Sequence, residues 1–560
     1  LESIAMPILI MIRKRLPHLG IQTVSILMSL QLISNRRPIM RKVLFLLPLL
    51  LSGAVTAGEM QKQFDLVVYG GTAGGVVTAT AGAREGLKVA LLEPRLHLGG
   101  MVSGGLGFTD FGQKEVIGGF SLEFFQRVGR HYGKELTWYF EPHVAEVVFR
   151  EMVKEAGVSV FYQHRLREKT GVKMNGRRIE EIFTENGRSF RGKVFADTTY
   201  EGDLMAQSGV SYTWGREGME QYGESLAGVR EHTPYHQFTV KVSPYDATGH
   251  LLPEVSPGPK GEVGAADKKV QAYNFRLCMT KVRANQEPFA RPANYNPKRY
   301  ELLARMLKAM TEKNGRAPLM DEVMKPDALP NGKTDTNNNG AFSTDYIGGS
   351  WDYPEADYQQ RERIWQEHYN YVAGFLYFLA NDPQVPDPLR REVSRWGLAK
   401  DEFADNNNWP HQLYVREARR MVGEYVMTQK DIQTELAKPD SIGMGSYNSD
   451  SHNVQRVPSH DRSAENEGDM QVPVTPYQIP YRVVLPKRQQ ATNLLVPVCF
   501  SASHVAYSTL RMEPQYMIIG QAAGVAAKLA IERGASVQEV DVPALQARLK
   551  AQKAVLALSK

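Results

Sequence analysis

Cysteine is almost absent: Cys278 and Cys499 are the only two in 560 residues. An iron–sulfur cluster, which takes about four thiolates, is thereby excluded. Each cysteine lies inside an apolar run, where a buried free thiol is the expected state, with a disulfide between them as the alternative. Internal repeats and long low-complexity tracts are also missing, which removes solenoids and extended disordered segments. No Lys/Arg-rich block follows residue 57. Seven of the 67 basic residues and one of the 61 acidic residues fall within residues 1–57, so the remainder balances at 60 of each. Binding to a phosphate backbone needs a basic excess or patch, and this balance argues against a nucleic-acid partner.

The apolar run Val43 to Leu51 is too short for a comfortable transmembrane helix, so no stable span is expected in the mature chain. Met40-Arg41-Lys42, that run, and Ala54-Val55-Thr56-Ala57 have the order of a signal peptide, which predicts cleavage after Ala57 and export to the periplasm or beyond. Residues 1–39 resemble no domain and read as sequence upstream of a start at Met40. Arg36-Arg37 within them forms a loose twin-arginine pattern. The length beyond the leader predicts two or three lobes.

What the chain does carry is a dense unit from Phe64 to Gly105. Phe64-Asp65-Leu66-Val67-Val68-Tyr69 is short, apolar and partly β-branched, and predicts a buried parallel strand. Small residues dominate from Gly74 to Glu85, as in a helix lying close to a sheet, and Leu87 to Leu92 predicts a second strand ending on Glu93. Gly70, Thr72 and Gly75 occupy the three key positions of G-x-G-x-x-G. Ala73 follows in the turn, and Glu93 lies near the offset of about 20 residues at which an acid meets a ribose. Strand, turn, helix, strand and acid in this order predict dinucleotide binding at a helix N-terminus. Thr72 departs from the pattern, with its hydroxyl expected to donate to phosphate.

Further along, Asn175-Gly176 and Asn186-Gly187 predict hairpins. Helices are predicted at Ser121–Tyr132, Val144–Ala156, Tyr300–Lys313, Tyr358–Leu379, Tyr414–Thr428 and Met512–Arg533, with strands at Gly157–Tyr162, Lys193–Asp197 and Asn493–Val498. The expected organisation is 62–214 as the first part of the nucleotide domain, 215–470 as an inserted substrate lobe, 471–535 as the closing strand and helix, and 536–560 as a C-terminal helix.

The segment Glu93-Pro94-Arg95-Leu96-His97-Leu98-Gly99-Gly100-Met101 resembles the E-x-x-x-x-x-G-G segment of flavoproteins related to glutathione reductase. The resemblance implies FAD rather than NAD, with Glu93, Pro94, Arg95, Gly99, Gly100 and Met101 along the cofactor. It further implies adenine contacts at the strand holding Val160, a second contact at Thr198, and a closing helix containing Gly524 whose start at Met512 supports the flavin. The implied fold class is α/β: a discontinuous glutathione-reductase-like FAD-binding Rossmann domain with an inserted α+β substrate lobe. Phe140-Glu141-Pro142-His143, Thr199 to Leu204, Tyr212 to Glu217, Gln271 to Arg276, Ser503 to Tyr507 and Arg511 to Pro514 together resemble the exported FAD-dependent oxidoreductase family. Some of its members are labelled xanthan lyase or likened to the heterodisulfide reductases. The cysteines of the latter are missing, and Pro497-Val498-Cys499 lacks the Gly-Asp pair that often touches the ribityl chain.

For catalysis, His504 is the first candidate base, since it precedes the closing helix and histidine titrates near neutrality. His452, in a polar stretch, is a second. Arg416 and Arg420, spaced by four on the predicted helix, would clamp a carboxylate, and Arg511 would stabilise negative charge near reduced flavin. Asp335-Thr336-Asn337-Asn338-Asn339-Gly340 begins like a calcium loop, but Tyr346 stands where the bidentate Glu belongs, so no metal is expected. The expected function is FAD-dependent hydride transfer, to or from flavin N5, on a small polar substrate such as a sugar or sugar acid, with an unknown electron acceptor. The alternatives are a polysaccharide lyase and a non-catalytic flavin- or carbohydrate-binding protein.

Overall fold

A computed structural model describes residues 62–558, so the leader and upstream expectations lie outside the described residues. The apolar run after Lys62 forms strand β1 (Lys62–Tyr69), followed by helix α1 (Ala73–Arg84) and strand β2 (Val89–Glu93). Helices α2 (Gly119–His131) and α3 (Pro142–Glu155) lead into β3 (Ser159–Tyr162), and then come β4 (Val172–Asn175), β5 (Arg178–Phe183) and β6 (Ser189–Asp197). β1 runs parallel to β2, with Leu66 opposite Val89, and to β6, with Val68 opposite Ala196. β3 adds in parallel to β2, and β4 and β5 fold back in antiparallel order at the two Asn-Gly turns, where Gly176 and Gly187 take positive φ of 58° and 83°. A parallel sheet covered on both faces needs apolar residues on both sides of its strands, which is why β2 is buried at every position.

The second sheet is antiparallel throughout. It contains β7 (Leu277–Thr280), β8 (Gln286–Glu287), β9 (Met324–Ala328), β10 (Lys333–Asn338) and β11 (Gly397–Ala399), in the spatial order β9-β10-β7-β11-β8. Helices α4 (Glu301–Asn314) and α5 (Tyr358–Asn381) accompany it. The segment that begins like a calcium loop is strand β10, and Asp335 within it pairs with Arg276 at 2.6 Å.

The chain then returns to the first sheet. β12 (Leu494–Leu495) adds in parallel to the end of β6, and α6 (His504–Leu510), α7 (Glu513–Arg533) and α8 (Val542–Ala551) follow. Small residues on α1 and α7 are explained by their crossing. A Cβ on Gly524 would lie 2.5 Å from the Thr78 carbonyl oxygen, and one on Gly74 3.0 Å from that of Tyr516, so the two helices touch backbone to backbone. Gly524 therefore has a packing place within α7 rather than one facing a cofactor.

The helix expected over 414–428 does not form. Only Arg420–Met421 is regular there, paired antiparallel with Tyr212–Thr213. Arg416, Glu417 and Arg420 are buried and take partners from other segments, and this tertiary requirement overrides a charge spacing that mimics a helix face. Cys278 and Cys499 are free and buried. Among the described residues no helix is long and apolar enough to cross a membrane.

Candidate active site

The turn after β1 is built by three constraints. Gly70 takes φ +105°, a region that favours glycine. A Cβ on Gly75 would collide with the Gly70 carbonyl oxygen. Thr72 caps α1, its Oγ1 accepting from the Gly75 N–H at 3.1 Å and donating to the Thr198 carbonyl at 2.8 Å. The expected bond from this hydroxyl to phosphate is thus replaced by a cap and a tether: a helix start needs an acceptor, and threonine supplies one where glycine cannot. Thr198 Oγ1 donates back to the Tyr69 and Gly70 carbonyls at 2.9 and 2.6 Å, locking the ends of β1 and β6 together.

Glu93, at the end of β2, accepts from the N–H of Gly71 and of Arg95, each at 2.7 Å. Burial raises its carboxyl to about 7 against these bonds. Gly70, Thr72, Glu93, Pro94 and Arg95 line a cavity together with Thr199 and Tyr200, which lie in a family-like motif without an assigned role, and with Tyr353 and Arg361, which no motif marks. Ala73 is fully buried in the first turn of α1. Val160 lies half-buried on β3 opposite Leu91, outside the residues lining this cavity.

Beyond the cavity the chain turns at Gly99 and Gly100, with φ of +105° and +54°. The Met101 N–H donates to Tyr200 Oη at 2.9 Å, and that hydroxyl donates to Glu513 Oε1 at 2.7 Å. One tyrosine therefore ties the glycine turn to the start of α7, where Met512 is the N-cap. Burial lifts Glu513 to about 8. Its Oε2, both side-chain polar atoms of Gln515, and the Nε atoms of Arg511 and Arg416 are buried without a protein partner. Buried polar atoms left unpaired cost roughly 1–3 kcal/mol each. Clustered where a helix N-terminus also leaves N–H groups without intrahelical acceptors, they fit a polar heterocycle with donor and acceptor edges.

The candidate catalytic residues meet in the adjoining interior. His504 Nδ1 stands 2.9 Å from Glu417 Oε2, and Glu417 also receives Arg420 Nη1 and Gln271 Nε2, the latter at 2.9 Å. Burial opposes ionisation of Glu417, but His504 and Arg420 hold it near 2. His452 Nδ1 lies 2.7 Å from Asp345 Oδ2, whose other oxygen takes Arg416 Nη2 at 3.0 Å. Burial, with Arg416 next, lowers His452 to about 4, so its ring is neutral at pH 7. Gln271 links the two dyads, since its Oε1 accepts from the backbone N–H of His452 at 3.1 Å. Arg416 lies 4.6 Å over the Tyr414 ring, and Arg511 donates to the Tyr414 hydroxyl at 3.2 Å. His504, His452, Arg416 and Arg511 are thus brought together, whereas Arg420 serves as the partner of Glu217 and Glu417. Glu417, Asp345, Gln271, Tyr414 and Glu513 are the members that motif reading does not assign; only Gln271 and Glu513 fall within family-like motifs.

Glu141, His143 and Glu402 are the one group among the described residues with ligand atoms close enough for a metal. The Lys333 ammonium already supplies the cation there, at 2.8 Å from Glu141, 2.8 Å from Asp401 and 2.7 Å from Glu402. His97, beside the glycine turn, has both ring nitrogens engaged, by Glu146 and Asp405 at 3.0 Å each.

A mixed α/β fold whose central parallel sheet carries a capped glycine turn, a ribose-type acid and a closing helix defines a Rossmann-type flavoprotein. Residues 65–549 match the family described as FAD dependent oxidoreductase, and the chain belongs to that family. The family's description gives FAD as the cofactor and oxidation–reduction as the chemistry. No curated protein matches the sequence. Similar solved structures include L-proline dehydrogenase from P. horikoshii (14% identity, 28% of this chain and 59% of that one, TM-score 0.23). NikD, an amino acid oxidase essential for nikkomycin biosynthesis, matches at 12% identity over 28% of this chain and 57% of its own, with TM-score 0.22. Thioredoxin reductase from T. acidophilum matches at 17% over 25% and 36%, with TM-score 0.17. The chain spans about 59% and 41% of the lengths of the first two structures it matches.

Proposed function

We propose that this flavoenzyme oxidises or reduces a small polar substrate, a sugar or sugar acid, in the interior beside His504 and His452, with segment 215–470 as the substrate-facing lobe. The observation that carries the reading is the His504–Glu417 pair at 2.9 Å, buried at the start of α6. Bound FAD supplies a two-electron centre that accepts hydride from a substrate carbon or returns it. Gly70, Gly75, Glu93, Arg95 and the turn at Gly99 and Gly100 would hold it, with Glu513 and Gln515 toward its polar edge.

The remaining steps belong to the chain's own side chains. Ionised Glu417 fixes His504 with Nδ1 donating, which leaves Nε2 to take the proton from a substrate hydroxyl and stabilises the imidazolium that forms. Neutral His452, held by Asp345, is poised in the same way as a second proton acceptor. Arg416 and Arg511, each with an unpaired Nε, support an anionic substrate group. Export, read from residues 40–57, belongs to the same proposal. Anaerobic addition of sugars and uronic acids tests it: one class should bleach the flavin, and His504→Ala should keep flavin bound while slowing the bleaching. Bleaching at an unchanged rate would remove His504 from its role.

A further inference from the structure

A second cavity opens beside α5 and shares no lining residue with the cavity at the glycine turn. Trp365 and Tyr369, one helical turn apart on α5, present parallel rings with centroids 6.1 Å apart at 4°. Trp409 closes one end edge-on to Tyr369, at 4.8 Å and 72°, and is itself braced by Phe275 at 5.4 Å. Phe289 lines the cavity half-buried. Between these rings the polar lining is made of amides: Gln366, Asn406, Asn407 and Asn408.

Three observations point to a ligand. The indole Nε1 groups of Trp365 and Trp409 are buried without a protein partner, and Trp409 is only 5% exposed, whereas buried donors are normally satisfied. The asparagine turn is held in an unusual shape, with Phe403, Asn407 and Asn408 at φ of +51°, +53° and +61°, the kind of strain that clusters at ligand clamps. Asn408 anchors it by donating to the Lys400 and Glu402 carbonyls at 2.8 and 3.0 Å, and Asn406 by donating to the Trp409 carbonyl at 3.0 Å. Finally, the lining contains no lysine, arginine or histidine, and Glu287 is its only charge. A phosphorylated or carboxylated ligand would have no counter-charge here.

We infer that this cavity is a binding site for a neutral saccharide. A pyranose has an apolar C–H face that suits flat aromatic rings, and a rim of hydroxyls that both donate and accept. Amides and indole N–H groups match that rim. The site is independent of the flavin chemistry, and its occupant need not be the redox substrate.

The test is calorimetric titration of the flavin-loaded protein with cellohexaose, maltohexaose, xylohexaose and mannohexaose, beside choline, adenosine and an oligogalacturonate. One neutral oligosaccharide should bind saturably and quench tryptophan fluorescence. Trp365→Ala should weaken that binding about tenfold or more, and Asn407→Ala, at an exposed rim position, should weaken it severalfold, with flavin content unchanged in both. If Trp365→Ala does not fold, Asn407→Ala and Trp365→Phe carry the test, and an unchanged affinity in both overturns the assignment. No binding of any neutral oligosaccharide also overturns it, as does preferential binding of choline, adenosine or the oligogalacturonate. Flavin bleaching is a separate readout, so failure here and failure of the redox reading are distinguishable.

Discussion

His504 and Glu417 lie 87 positions apart in the chain, yet their side chains meet at 2.9 Å with both residues buried and Arg420 closing the far side of the carboxylate. A buried carboxylate that stays ionised orients an imidazole and stabilises its charged form. Replacing His504 by Ala should lower the rate of flavin reduction by roughly 10²–10⁴-fold, the usual contribution of a general base. Stopped-flow absorbance under anaerobic conditions measures this, and the visible spectrum of bound flavin should be unchanged.

Thr72 offers a test of local structure. Since its hydroxyl caps α1, Thr72→Ala should cost about 1 kcal/mol in urea titration and leave FAD affinity within about threefold, because the lost bonds are internal. A loss of affinity of tenfold or more would return the hydroxyl to the phosphate.

Glu93 should behave in the opposite way. Its carboxylate is aligned by the Gly71 and Arg95 N–H groups, and hydrogen bonds to a charged acceptor are worth roughly 1.5–3 kcal/mol. Glu93→Ala should therefore weaken FAD about 10–100-fold in titrations of the apoprotein, whereas its effect on the rate of reduction at saturating FAD should be small.

The buried acids predict a pH dependence. Burial lifts Glu93 to about 7 and Glu513 and Asp469 to about 8. In the unfolded chain the same groups lose their protons near pH 4, but burial keeps His452, His368 and His411 unprotonated below the ordinary histidine value and offsets them there, so it is between about pH 6.5 and 8 that the folded apoprotein binds more protons and its stability should fall as pH rises. Glu417 and Asp345, both held near 2, act in the other direction: the stability they contribute is present above about pH 4 and lost below it. Urea midpoints at pH 6.5, 7.2 and 8 should decline, and Glu513→Gln should flatten the decline.

Much of the nucleotide unit is legible in residues 64–105. The period of β1, the glycines of the turn and the position of Glu93 are all local, and each has a single backbone solution. Helices α4, α5 and α7 are readable for the same reason, their apolar or small faces lying within one element. The catalytic interior is not. Glu417 owes its meaning to His504, 87 positions away, and to Gln271, 146 positions away, and Asp345 to His452, 107 positions away. Nothing local marks such partners. The four-residue spacing of Arg416 and Arg420 even points to a helix, because a surface salt-bridge pattern and a buried charge network look alike in one dimension. Gly524 shows the converse ambiguity: a glycine required by helix crossing has the same signature as one required by a cofactor.

The most direct measurement is the visible absorbance spectrum of the purified protein, reconstituted with FAD, before and after anaerobic addition of sugars and uronic acids. The expected result is a set of flavin bands that one of these classes bleaches, and that the same compound bleaches far more slowly in His504→Ala. Bands that no sugar or uronic acid bleaches would contradict the proposed substrate, and absence of bands after reconstitution would contradict the flavin site itself.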